Sequence, residues 1–305
     1  MSATARGTQQ RGDLLGAFLL FLSAFFFGLV VILGKVELRT GIPVVSMLAI
    51  RFALAALVLV PVLVAVRLPL APVPGERLGI VVIGIAGYAV EASLFFAAVP
   101  HGTAGAVTLL FFTYPVFVTL ASWTLGWGRP GGLTVAALAC AVSGAALIVG
   151  TSGGIAIETI GVVFALGSAL MYTAYLIGAD HVIKGTNALT GSMWQAAAAS
   201  SGLLVFALMT GNFDVPTSWH GWWPIFGMSA CTAGAFVCLL EGLKRLGSVR
   251  TAIISSSEPL TAAILGFAIL GEKVGPGLAS GGVLIVVGSV MAATARKTVT
   301  PAEIP

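Results

Sequence analysis

The chain has 305 residues, of which 58% are hydrophobic and only 9% charged, and its mean hydropathy is +1.06. Soluble domains carry about 25% charged residues, which excludes a soluble enzyme or binding module of this length. The net charge of +4 is scattered over short connections, so there is no basic cluster for nucleic acid.

Uncharged runs of about 18 residues or more mark membrane spans, and here they recur from end to end. The N-terminus MSATARGTQQRGD is polar, and the apolar run behind it is longer than a secretory leader's, which predicts a retained first helix. Charges, Gly/Pro clusters and polar breaks divide the rest into ten predicted spans, at about 13–34, 44–66, 78–99, 104–125, 132–150, 157–178, 188–210, 221–241, 250–270 and 276–295. The fold class expected is therefore all-α, integral to the membrane, with polar tails at 1–12 and 296–305. Cys140, Cys231 and Cys238 all fall inside spans and read as small buried hydrophobes.

Lys and Arg accumulate on the cytoplasmic side of a membrane protein. With the N-terminus inside, the inner segments hold Arg6, Arg11, Arg67, Arg77, Arg129, Lys184, Lys244, Arg245, Arg250, Arg296 and Lys297. The outer loops hold only Lys35, Arg39 and Lys273. Both termini are thus expected in the cytoplasm, across an inner (plasma) membrane.

Displaced by 144 positions, VTLLFFTYPVFVTLASWTLGWGRPGG (107–132) lies over TAIISSSEPLTAAILGFAILGEKVGP (251–276) without a gap. Pro115 meets Pro259, Arg129 meets Lys273, Gly131 meets Gly275, and further on Gly144 meets Gly288. A displacement of 145 aligns the starts, pairing Gly16 with Gly161, Ser23 with Ser168 and Ala24 with Ala169. The chain therefore reads as a duplication, 13–150 and 151–295. Five spans per half is an odd number, so the halves insert with opposite orientation. Inverted repeats are the architecture of many secondary transporters, with the substrate site near the midplane between repeats.

The stretches LFFTYPVFVTLASWTLGWGR, GLKRLGSVRTAIISSSEPLTAAILGFAILGEKV, LAIRFALAALVL and GVVFALGSALMYTAYLI resemble EamA-type permeases of the drug/metabolite transporter superfamily, over about residues 13–295. The resemblance implies a ten-helix, five-plus-five inverted-repeat carrier. Its members of known activity mostly export amino acids, related metabolites or organic cations, and distant branches move nucleotide sugars or triose phosphates. It also implies a central cavity lined mainly by the first, third, fourth, sixth, eighth and ninth helices. Two departures stand out. The family's usual Gly-Glu-Arg after the fourth span is Gly126-Trp127-Gly128-Arg129 here, and Glu241 stands where a small residue is more usual.

The candidate site residues are polar groups that lipid would penalise. A charge at the bilayer centre costs roughly 2.5–3.5 kcal/mol on insertion scales. Glu91, with Tyr88 at i−3 and Phe95 at i+4 on the same face, reads either as a cavity carboxylate for a cationic or amino group, or a proton, or as a neutral acid bonded to a neighbouring helix. Glu258 precedes Pro259, which frees the Ser255 carbonyl; Ser255, Ser256 and Ser257 can cap such groups locally. With the ninth helix on the cavity, as the resemblance implies, Glu258 and Ser255 face the substrate. Tyr114, whose neighbour Pro115 matches Pro259, is the repeat partner of Glu258. Together with Phe111, Tyr172 and Tyr175 it offers aromatic faces that suit apolar groups or cations. Arg51, inside the second span, reads as a structural ion-pair partner for a buried carboxylate. Trp194-Gln195 is a weaker lining pair, and Glu241 with Lys244 and Arg245 has the spacing of an interfacial ion pair.

No nucleotide-binding motif, metal spacing or nucleophile–base pair stands out, so no cofactor or metal is expected and the function expected is not enzymatic. The leading reading is a carrier exporting small metabolites, amino acids first. A sensor or scaffold on the same fold, or an integral membrane enzyme, remains as an alternative. The partners expected are the lipid bilayer and a small-molecule substrate, without nucleic acid, for a monomer or homodimer.

Overall fold

The computed structural model describes residues 3–37, 40–101, 107, 110–127, 129–150, 158–270 and 277–294. Of the positions used above, Arg39, Gly128, Lys273, Gly275, Arg296, Lys297 and the Pro259 side chain lie outside the described residues. Helix α1 (Ala3–Glu37) starts well before the apolar run: the polar ATARGTQQRG has no proline, and its two glycines do not interrupt the helix. The expected N-terminal tail is therefore largely helical. Helix α2 is Val44–Ala65. Residues 77–98 run on as α3, from Arg77–Val82 through a π-helical stretch, Ile83–Ala89, into Val90–Ala98. Then follow α4 (Tyr114–Thr124), α5 (Gly132–Gly150), α6 (Thr159–Val182), α7 (Ala188–Met209), α8 (Trp219–Ser255), α9 (Glu258–Leu270) and α10 (Gly277–Thr294).

Six of the described helical stretches are long and apolar enough to cross a membrane: those within α1, α2, α3, α6, α7 and α8. The described parts of α5 and α10 hold shorter apolar segments, Gly132–Gly144 and Ser280–Ala292. Leu57, Val205, Leu208 and Val283 stay exposed on outer helix faces, where lipid would cover them. The first boundary that differs from expectation is at α8. The eighth and ninth predicted spans are joined by a single kink at Gly247 (φ 76°, ψ 169°) rather than by a loop. That φ is one that only glycine adopts readily. The Ser248 N–H beyond the kink donates to Asp180 Oδ2 at 2.9 Å.

The two X-Pro sites have the same local backbone. Residues 112–113 and 256–257 are turns, after which α4 opens on Tyr114-Pro115 and α9 on Glu258-Pro259. Thr113 N donates to Leu110 O (3.2 Å) and Ser257 N to Ile254 O (3.0 Å), while Phe117 N reaches Thr113 O and Thr261 N reaches Ser257 O. Each proline therefore sits in the first turn of a new helix. There its missing N–H costs little, whereas in a helix interior it would cost about 3 kcal/mol. The carbonyl released at the second break is Ala252 O, because Ser256 N turns instead to Ile253 O. Ser256 Oγ (3.1 Å) and Tyr114 OH (3.3 Å) donate to it. Ser255 Oγ and Ser257 Oγ have no partner among the described residues, so the expected serine capping falls to Ser256 alone.

Packing joins elements across the sequence: α1 with α8, α3 with α6, α2 with α7, and α5 with α10. Ser23 Oγ donates to Ala235 O (2.9 Å) across α1 and α8, and Ser168 Oγ to Glu91 O (3.1 Å) across α6 and α3. Between α5 and α10 the backbones nearly touch. A Cβ on Gly144 would lie 2.6 Å from Gly281 O, and one on Gly288 would lie 2.7 Å from Ala137 O.

Candidate functional site

A cavity of about 550 Å³ of atom-free space, counted to its open mouth, lies among α1, α2, α3, α6, the turn before α4 and the start of α9. Glu91 enters it just beyond the π-helical stretch, as the second residue of Val90–Ala98, and that stretch carries Tyr88; π-helical insertions recur at functional sites. Glu258 enters as the first residue of α9, beside the second helix break. The walls are Phe27, Phe95, Phe96, Phe111, Tyr88 and Tyr172, with Arg51 between them. Tyr88 stands edge-on to Phe52, Tyr175 and Phe236 at 4.7–5.5 Å between ring centroids. Phe111 meets Phe95 at 5.3 Å and Tyr172 at 5.5 Å.

Glu91 is 6% exposed, and Ser168 Oγ lies 3.2 Å from its Oε1 and 3.1 Å from its backbone oxygen. One hydroxyl proton is thus shared between the carboxyl and the carbonyl. No hydrogen bond to the Glu258 side chain occurs among the described residues. Two acids and one guanidinium on an aromatic-walled cavity have the chemistry to bind a small charged molecule: the acids suit a cationic or amino group, the rings a cation or an apolar body.

Six of the nine expected substrate residues share this cavity: Glu91, Tyr88, Phe95, Phe111, Tyr172 and Glu258. Tyr114, Tyr175 and Ser255 do not line it. Tyr114, 1% exposed, packs behind the wall against Tyr172 (4.7 Å) and spends its hydroxyl on Ala252 O. Tyr175 turns to α7, where its hydroxyl donates to Gln195 Oε1 at 3.0 Å. Ser255 is buried within the last turn of α8. Arg51 also differs from expectation. Among the described residues it makes no ion pair; its guanidinium carbon sits 4.3 Å above the Phe52 ring and the side chain lines the cavity.

Trp194 points away, donating from Nε1 to Leu70 O. Arg245 pairs with Glu241 at the expected spacing, whereas Lys244 donates to Thr186 O. Phe27, Val30, Val31, Ala92 and Phe96 are lining residues that the sequence reading passed over. The repeat carried a signal for one of them: the displacement of 145 that pairs Ser23 with Ser168 also pairs Phe27 with Tyr172.

An all-helical arrangement with six apolar stretches long enough to cross a membrane, around a cavity of acids and aromatic rings, is that of a multi-pass membrane protein. The model of the EamA-like transporter family matches residues 14–150 and again 159–294, and the chain belongs to that family. "Uncharacterized transporter YcbK" of Bacillus subtilis (strain 168) is 28% identical over 123 residues, 38% of this chain and 39% of that protein. The match thus spans well under half of either chain. A solved crystal structure superposes with a TM-score of 0.76 over 93% of this chain and 98% of its own, at 17% identity, a likeness of fold.

Proposed function

We propose that the protein is a secondary transporter that exports small metabolites, such as amino acids or organic cations, by alternating access through the cavity. The observation that carries this reading is the meeting of Glu91 and Glu258, one from each half of the chain, in a single aromatic-walled cavity. In this reading the chain is a five-plus-five inverted repeat of ten spans, 13–150 and 151–295, crossing the inner (plasma) membrane. Its tails, 1–12 and 296–305, lie in the cytoplasm. The matched hydrogen bonds of Ser23 and Ser168, and the matched breaks before Pro115 and Pro259, support the repeat. The Lys/Arg bias supports the orientation.

The substrate's cationic or amino group sits at Glu91 and Glu258, and its remainder lies against Phe95, Phe111, Tyr88 and Tyr172. Exchange of conformation between the halves then turns the cavity from one side to the other. In proteoliposomes, radiolabelled amino acids and organic cations should cross in a protein-dependent way. Glu91→Gln and Glu258→Gln should each lower that flux by roughly 10-fold or more, the scale of a lost charge-assisted hydrogen bond, while the variants insert and stay monodisperse. Wild-type flux in both variants would sink the carboxylate role. Failure of the whole panel to move would favour a sensor, scaffold or membrane enzyme on this fold.

A further inference from the structure

Arg51 is 3% exposed and lines the cavity, and its Nε has no hydrogen-bond partner. Two carboxyls line the same cavity, yet no ion pair to Arg51 within 4.0 Å exists among the described residues; the ion pairs there are those of His101, Arg245 and Arg250. What holds the guanidinium is the Phe52 ring, 4.3 Å away. A cation–π contact orients an arginine but leaves all five N–H donors available. A buried charge that no carboxylate meets directly is costly, so the chain retains at this position a group that its own contacts leave incompletely paired.

The other half of the molecule shows that the fold does not need that charge. Helices α2 and α7, Val44–Ala65 and Ala188–Met209, are each 22 residues long and start 144 positions apart, which places Gln195 opposite Arg51. Gln195 is fully buried, neutral, and accepts from Tyr175 OH through Oε1. A neutral amide therefore occupies the equivalent point, with its Oε1 partnered and its Nε2 without a partner among the described residues. The guanidinium is specific to the first half, where it lines the cavity.

We propose that Arg51 is a specificity-determining residue that receives an anionic group, a carboxylate in the first instance, on the transported molecule. The substrate would then carry both signs of charge, with its anionic end on the fork of Arg51 and its cationic end toward Glu91 and Glu258. A planar guanidinium suits this task, because its paired N–H groups match both oxygens of a carboxylate. A simple organic cation lacks the group that would compensate Arg51 and is the poorer substrate.

The inference rests on the cavity being the substrate site, and the test separates the two. Purified protein in proteoliposomes is assayed for uptake of radiolabelled L-amino acids, their carboxamides, and the amines that lack the carboxyl group altogether. The wild-type protein is expected to move the acids with kcat/KM roughly 10–100-fold above the carboxamides and amines, the range of a hydrogen bond to a charged group. R51Q, which copies Gln195, should erase that preference chiefly through a higher KM for the acids, and R51K should restore part of it. Wild-type transport of carboxamides and amines at the rate of the acids overturns the role of Arg51 and leaves the transport reading standing. Unchanged preference in R51Q overturns it likewise. If no compound moves, the transport reading falls and this inference with it. The wild-type comparison requires no variant to fold.

Discussion

At the scale of single residues, the site is built from groups that one half of the chain has and the other lacks. Glu91 stands where the second half has Ala235, and Arg51 where it has Gln195. The serines that hold the frame are common to both: Ser23 bonds Ala235 O, and Ser168 bonds Glu91 O while also reaching the Glu91 carboxyl. This gives an internal control. Ser23→Ala and Ser168→Ala each delete one buried hydrogen bond and should each cost about 1 kcal/mol of stability, read from thermal unfolding in detergent. Only Ser168→Ala also loosens a carboxyl on the cavity, so it alone should raise the apparent substrate KM, by about 5-fold. Equal transport in the two variants would reduce Ser168 to a structural tie. Arg51, Glu91 and Glu258 were legible in the sequence because ionisable groups in spans are conspicuous. The orientations of Tyr114 and Tyr175 were not, because helical spacing says which residues share a face and not which face meets the cavity. Each hydroxyl found a buried acceptor elsewhere, Ala252 O and Gln195 Oε1.

At the scale of helices, the prolines act as starts rather than kinks. The sequence made Pro115 and Pro259 conspicuous and paired them, yet reasoning from a continuous helix placed the freed carbonyl at Ser255. The break at 256–257 frees a second carbonyl, Ala252 O, one turn earlier. The π-helical stretch Ile83–Ala89 has no signature in IGIAGYA, since its i→i+5 bonds arise from packing and not from a marked residue. Gly144 and Gly288, which the repeat pairs, have a sharp consequence in the structure. Gly144→Ala would drive a Cβ to 2.6 Å from Gly281 O, and Gly288→Ala would bring one to 2.7 Å from Ala137 O, backbone against backbone in both cases. Neither contact relaxes by a rotamer change, so each substitution should cost roughly 1–3 kcal/mol, the usual price of overpacking. Thermal unfolding of the two single variants checks this, and a melting temperature at or above wild type in either would show that the α5–α10 pair separates freely. Gly131→Ala, with nothing within 4 Å of its added Cβ, is the control expected to change little.

At the scale of the molecule, polar contacts tie distant parts of the chain at both ends, His101 with Glu158 and Ser46 with Asn212 at the Glu37 end of α1. The cavity extends along α1 as far as Val30 and Val31 and along α3 as far as Phe96, toward the Glu37 end of α1. At the opposite end the ties reach the start of α1 and the α6–α7 connection. Arg250 Nη1 pairs with Asp13 Oδ2 at 3.1 Å, Ser248 N donates to Asp180 Oδ2, and the Glu76 carboxyl accepts from the backbone of Lys184, Gly185 and Thr186. With the N-terminus in the cytoplasm, as proposed, we take the Asp13–Arg250 end as the inner gate of the carrier. The Gly247 kink belongs to that gate, since it presents Ser248 and Arg250 to their partners from the short segment that leads to Glu258. Opening the inner end must break the Asp13–Arg250 pair, whose Asp13 side chain is 28% exposed. Such a partly exposed pair is worth roughly 1 kcal/mol, so Asp13→Asn should raise the inward-open population by about 5-fold. A cysteine introduced at Val249, beside the pair, reports that population through its rate of labelling by an impermeant maleimide from the cytoplasmic face of inverted vesicles. One introduced at Val31 reports the cavity from the other face. Asp13→Asn should speed the first reaction and slow the second. If both rates stay at their wild-type values, the pair is a surface ornament of the fold and the inner gate lies elsewhere along α8.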